Sequence, residues 1–134
     1  MAEEAVAVAR ASFDRCVAAA GFFPAFYKNF FTRLPTAAPR FAQTDMERQH
    51  KLLRHALGLL LSYAGQRTGE ANLLSRVATR HGKGDLAIPA QDYPAFVDAL
   101  IETVHQHDPG CDPATEAAWR RALEPGIRYM QSKA

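Results

Sequence analysis

The sequence predicts an all-α domain of six or seven helices, packed by ridges and grooves and not as a simple bundle. Two observations carry this. Apolar residues recur at offsets of three, four and seven along most of the chain, and no stretch keeps the alternation of a strand. Glycine and proline mostly fall between these periodic segments, where helices begin and end. With 134 residues, 48% of them apolar and 22% charged, residues 1–134 are enough for one domain with its own core.

Ala2–Ala20 is alanine-rich and amphipathic, and Gly21 ends it. Pro24 suits the first turn of a second helix reaching about Arg33. Pro35 and Pro39 bracket a short, tight helical turn. Thr44 or Asp45 then caps a helix on which Met46, Gln49, Leu53, Ala56, Leu57 and Leu60 share one face. Gln49 is the polar member of that face.

Gly65–Gly69 reads as a loop and Glu70 to His81 as another helix, with Gly82 available for a left-handed cap. A connection leads to Pro89. The next helix carries Tyr93, Phe96, Val97, Leu100, Ile101 and Val104 on one stripe, and Asp108-Pro109-Gly110 breaks it. Asp112 or Thr115 caps the last helix, whose stripe is Trp119, Ala122, Leu123, Gly126, Ile127 and Met130. Pro125 inside this helix predicts a kink.

Composition narrows the function. The net charge is +2 and the basic residues form no run, which leaves no electrostatic footprint for nucleic acid. The N-terminus lacks a basic, then apolar, signal region, and the apolar run Leu57–Leu61 is too short to span a membrane. A soluble, cytoplasmic protein is expected. Cys16 and Cys111 lie far apart, show no metal-type spacing and suit a reducing compartment; without C-x-x-C-H, covalent haem attachment is excluded.

The residues with most chemical content are Tyr27, Phe41, Gln49 and His81. His81 closes the stripe Leu74, Val77, Ala78, which places an imidazole on the buried face of its helix. Alone, such a histidine is ordinarily a core residue with a satisfied hydrogen bond. Gln49 adds weight, because a buried amide needs partners from a neighbour or a ligand. Tyr27 is its natural partner, set among Phe22, Phe23, Phe26, Phe30 and Phe31. One nitrogen donor facing an apolar pocket, opposite a tyrosine and a glutamine, is the arrangement a haem iron needs. Arg76, Arg80 and Lys83 stand near His81 and suit carboxylates at a pocket edge, or simply a solvated helix end.

Taken in order, these residues resemble the globin family, in particular bacterial single-domain haemoglobins and the globin domain of flavohaemoglobins. Phe26-Tyr27-Lys28-Asn29-Phe30-Phe31 looks like the B-helix motif with its distal tyrosine. Phe41 falls where the family keeps the phenylalanine that packs on the porphyrin. The stretch from Phe41 to Gln49 looks like a shortened CD corner and early E helix, with Leu53 one turn on beside the ligand. His81 matches the proximal histidine without a gap, and the segment from Ile88 to Pro94 resembles the start of the G helix. The loop from His81 to Tyr93 is longer than in flavohaemoglobins. The family's late H-helix glutamate has no counterpart, and no flavin and NAD reductase domain is expected.

The resemblance implies a globin fold around non-covalent haem b (iron protoporphyrin IX). His81 is the expected iron ligand. Phe41, Leu53, Tyr27, Gln49, Val77, Arg80, Lys83 and Tyr93 are the expected haem-pocket residues. Tyr27, Gln49 and Leu53 face the gas ligand: O2, NO or CO. Two donors of about 1–3 kcal/mol each slow ligand release by roughly 10²–10⁴-fold, which suits scavenging or chemistry more than bulk oxygen transport. The alternatives are an NO dioxygenase served by a separate reductase, a gas sensor acting through a partner protein, and a haem-free interaction module of the same shape. A monomer or weak homodimer is expected. His50 is expected to face outward, and with a shift of its helix it becomes a competing sixth ligand. His105 and His107 read as a solvated helix end.

Overall fold

A computed structural model describes residues 2–65 and 88–133. Five α-helices and two short 3-10 turns make up these residues, with no strand among them. Helix α1 spans Ala2–Ala18, with Glu3 and Glu4 in its first turn and Arg15 in its last, each charge complementing the helix dipole. The helix stops two residues short of Ala20, where the Ala19 N–H donates to the Cys16 carbonyl at 3.1 Å and tightens the last turn.

Gly21 takes φ +86, a left-handed backbone that other residues rarely adopt. It hands the chain to α2, Phe22–Arg33, whose Pro24 sits in the first turn where a missing N–H is harmless. A 3-10 turn follows at Pro35–Phe41. Helix α3, Met46–Gly65, begins against Asp45, whose side chain accepts from the Arg48 N–H at 3.4 Å.

A second 3-10 turn, Ala90–Asp92, leads into α4, Tyr93–His107. Helix α5 is Pro113–Lys133 and remains helical through Pro125. Asp112 caps it: Oδ1 accepts from the Thr115 N–H at 2.8 Å and from the Thr115 hydroxyl at 2.7 Å. The helix expected over Glu70–His81, and the glycine-rich turn after it, lie outside the described residues.

Helix α1 packs chiefly on α5, α2 on α4, and α3 on both α5 and α1. The stripes expected on α4 and α5 are the buried faces, apart from Val97, which is half-buried. Gly126 serves the closest approach. A Cβ there would stand 2.6 Å from Leu60 Cδ2 and 3.4 Å from Leu60 Cα, so only glycine lets α5 lie this near α3.

One buried polar network ties the corner between α4 and α5 to α1. Trp119 Nε1 donates to Ser12 Oγ at 2.9 Å, and that hydroxyl donates to Asp108 Oδ2 at 2.5 Å. Arg15 grips the same carboxylate with Nε at 2.6 Å and Nη2 at 3.0 Å. The Gly110 N–H completes it at 2.9 Å. Arg15, then Ser12 and Gly110, hold the Asp108 carboxyl at about 2 against the opposing effect of burial. No helix among the described residues is long and apolar enough to cross a membrane.

Candidate functional site

Helix α2, the Pro35–Phe41 turn and α3 meet around Tyr27. Tyr27 is 5% exposed and Phe41 6%, and their rings lie 5.6 Å apart. Phe31 closes against both, at 5.8 Å from Tyr27 and 5.4 Å from Phe41. This cluster follows from local sequence. Positions 27 and 31 are one helical turn apart, and the proline-bounded turn brings Phe41 back over them.

Gln49 enters from the first turn of α3, with Leu53 one turn on and fully buried. Burial pushes the Tyr27 phenol well above its usual pKa, and the neighbouring Gln49 amide draws it part of the way back. The phenol is therefore neutral, a donor as well as an acceptor, at every physiological pH. The two side chains are neighbours, as expected, and the Gln49 amide stands close enough to act on the Tyr27 hydroxyl, but without the geometry of a well-formed hydrogen bond. Gln49 is 3% exposed and, among the described residues, its Nε2 has no partner in hydrogen-bond geometry. An unsatisfied buried N–H costs about 1–3 kcal/mol, so an acceptor supplied at this position would be favourable.

His50 corrects an expectation. It is half-buried instead of outward-facing, stacked on Tyr27 at 5.6 Å and 28° and on Phe23 at 6.5 Å and 24°. The apolar stripe of a surface helix is wide enough for position 50 to fall at its border, where a flat ring packs. Burial lowers the His50 pKa, with Glu47 opposing, so the ring is neutral near pH 7.

Tyr93 lies on the far side of an aromatic wall. Tyr27 touches Phe26 at 5.1 Å, Phe26 touches Phe96 at 5.2 Å, and Phe96 touches Tyr93 at 6.0 Å. Tyr93 is 2% exposed, and burial raises its pKa well above the usual phenol range. His81, Val77, Arg80, Lys83 and Arg76 lie outside the described residues. Tyr27, Phe41 and Gln49 are thus brought into one cluster with Leu53 beside them, and Tyr93 is set apart from it.

Two braces escaped the sequence reading. Arg40 Nη2 pairs with the largely buried Asp92 at 2.8 Å, clamping the turn that carries Phe41 to the start of α4. Asn29 Nδ2 donates to Thr103 Oγ1 at 2.9 Å and to Gln106 Oε1 at 3.0 Å, fixing α2 on α4. Their only sequence signal is a polar residue at the edge of an apolar stripe. His105 pairs with Glu116 at 2.6 Å, and His107 Nδ1 meets the Thr103 carbonyl at 2.9 Å. No group of three or more metal-ligating side chains occurs among the described residues.

The chain belongs to the globin family: the family model described as Globin matches residues 24–127. Globins typically bind haem and, through it, gaseous ligands. A Pseudomonas aeruginosa protein, described as structurally highly homologous to a human haemoglobin, is similar over 96% of this chain and 97% of its own, at 34% identity and a TM-score of 0.87. No curated protein gives a significant match.

Donors, rings and apolar walls of this kind suit a haem pocket. Phe41 and Leu53 would pack on a flat apolar macrocycle, and Gln49 Nε2 would be a free donor toward a ligand held there.

Proposed function

We propose that this globin binds haem b without a covalent link, with His81 as the iron ligand, and that it binds O2, NO or CO on the side lined by Tyr27, Gln49 and Leu53. Haem, when bound, supplies an iron that takes a diatomic gas. The chain's residues supply the rest. Phe41 and Leu53 keep water out. Tyr27, held neutral by burial, donates its O–H, and Gln49 donates its amide N–H. The unpartnered Nε2 of Gln49 is the observation that carries this reading.

Two converging donors favour a ligand that gathers negative charge on its outer atom, which describes O2 better than CO. The proposed role is therefore O2 and NO handling, with slow O2 release. Val77, Arg80 and Lys83 complete the proposed pocket, the two cations as partners of the haem carboxylates, and Tyr93 bounds it from beyond Phe26 and Phe96, away from the gas-binding side.

The test is the visible spectrum of the purified, haem-reconstituted protein: ferric, then dithionite-reduced, with and without CO, beside His81→Ala. A Soret band that moves with CO and is lost or altered in His81→Ala supports the proposal. Absence of a Soret band after reconstitution overturns it. A six-coordinate ferrous spectrum without added gas, lost in His50→Ala, would assign the sixth position to His50.

A further inference from the structure

The back of α3 carries a feature that gas binding does not use. While Gln49, Leu53, Ala56, Leu57 and Leu60 point to the core, Lys51, Arg54, Gly58 and Ser62 form a second stripe at offsets of three, four and four. Arg10 on α1 faces this stripe. Its Nη2 donates to Ser62 Oγ and approaches the Gly58 carbonyl at 3.5 Å, which holds the guanidinium across the gap between the helices. The result is a groove of about 440 Å³.

Four basic side chains line the groove: Arg10, Lys51, Arg54 and His55. Its apolar floor comes from Phe13 and Leu59. Elsewhere among the described residues arginines are largely matched, as Arg15 with Asp108, Arg33 with Glu102, Arg40 with Asp92, and Arg128 with Glu124. Exposed Arg48 and Arg121 stand singly without an ion pair, whereas the groove gathers three such cations, Arg10, Lys51 and Arg54, with no carboxylate within ion-pair distance among the described residues. Asp14, one turn beyond Arg10, and Glu47, one turn before Lys51, are the nearest acids along these helices, and neither pairs with it. Like charges held this close repel one another unless an anion neutralises them.

Gly58 adds an independent observation. Glycine weakens a helix interior, so its presence usually reflects a close approach. Here a Cβ would meet nothing within 4 Å. The missing side chain does not serve packing between α1 and α3, as that of Gly126 serves α3 and α5. It leaves the groove open.

We infer that the groove between α1 and α3 binds a soluble organic anion carrying two or more phosphates, with its apolar or planar body on Phe13 and Leu59. Guanidinium groups grip phosphate oxygens in pairs, while Lys51 adds point charge and the His55 ring a further hydrogen-bonding edge. The volume lies in the range of small-molecule sites, and the groove is shallow and open along one side, which leaves room for phosphates that stay partly solvated.

Isothermal titration of the purified full-length chain with ATP tests this, with inorganic tripolyphosphate to isolate the charge. Expected is saturable one-to-one binding of ATP, with a Kd of about 10–100 μM at low salt that weakens as salt is raised. Tripolyphosphate should bind more weakly, because it leaves the apolar floor uncovered. The pair Lys51→Glu and Arg54→Glu should weaken ATP binding at least tenfold. The same charge change at Lys28 and Arg121, both exposed and outside the groove, should leave it within twofold. Gly58→Leu keeps every charge and fills the opening, and it should also abolish binding.

No saturable binding of ATP at millimolar concentration overturns the inference. So does equal loss from the Lys28 and Arg121 changes, or full binding by Gly58→Leu, since each would mean diffuse surface charge. Binding to vesicles of phosphatidylcholine with phosphatidylglycerol, without binding of ATP, would overturn it in favour of a membrane surface.

Discussion

Leu60 and Gly126 touch without a side chain between them: a Cβ at position 126 would lie 2.6 Å from Leu60 Cδ2 and 3.4 Å from the Leu60 backbone. Leu60 is 4% exposed and has little room to swing aside. Gly126→Ala therefore sets a gain of about 1 kcal/mol in helix propensity against overpacking of about 1–3 kcal/mol. A net loss of about 1 kcal/mol is expected in urea unfolding, and a much larger loss for Gly126→Val.

The same substitution at Gly58 should have the opposite sign. Nothing stands where its Cβ would go. Gly58→Ala should stabilise the fold by about 0.5–1 kcal/mol, read as a higher urea midpoint at unchanged slope. A loss of stability at Gly58→Ala, or a gain at Gly126→Ala, would contradict this account of the two glycines.

Asp108 predicts an acid limb. Its carboxyl is held at about 2, below its ordinary value of 3.8, so the unfolded chain takes up the proton first as pH falls. Its contribution is complete above pH 3.8 and is lost as pH drops through 3.8 toward 2. Asp108→Ala should remove that part of the pH dependence. It should cost about 2 kcal/mol at pH 7, the low end for a buried charged network because Arg15 is partly exposed. Ser12→Ala should cost about 1–3 kcal/mol, since it strands the Trp119 N–H.

Ligand kinetics read the two donors separately. Tyr27→Phe and Gln49→Leu should each speed O2 dissociation by about tenfold, the equivalent of about 1.4 kcal/mol, and should change CO dissociation less. Gln49→Leu should also stabilise the protein without haem, because it removes a buried, unpartnered N–H. Stopped-flow displacement measures the first effect and urea unfolding the second.

Cys16 should be inert in the native state. It is fully buried, and burial with the nearby Asp108 charge pushes its thiol up to about 12. A disulfide-exchange reagent at pH 8 should modify at most Cys111 before unfolding and both cysteines after it.

The fold class was legible because amphipathic helices write their period into the chain. The α5 stripe from Trp119 to Met130 is the buried face that the periodicity predicts, and of the two predicted caps, Asp112 and Thr115, Asp112 is the one that accepts. Tyr27, Phe41 and Gln49 were legible as a set because each is a type the site needs at a fixed place along a helix or turn. Their mutual arrangement was less so: Tyr27 and Gln49 are neighbours, but the amide Nε2 lacks a well-formed hydrogen bond, and His50 turns inward. Hydrogen-bond alignment and ring stacking depend on how α2 and α3 cross, which no periodicity encodes.

The sequence by itself determined that the described residues form helices, which faces they bury and where they are capped, because these follow from local steric preference and burial of apolar stripes. The tertiary structure alone decided which polar groups are satisfied. It joined Ser12, Arg15, Asp108 and Trp119 across three elements, set Arg40 on Asp92, and left Gln49 Nε2 without a well-formed hydrogen bond, and the cations between α1 and α3 without a carboxylate, among the described residues. A hydrogen bond or an ion pair reaches only a few ångströms, so its partner is chosen by the packing of distant segments and not by neighbours along the chain.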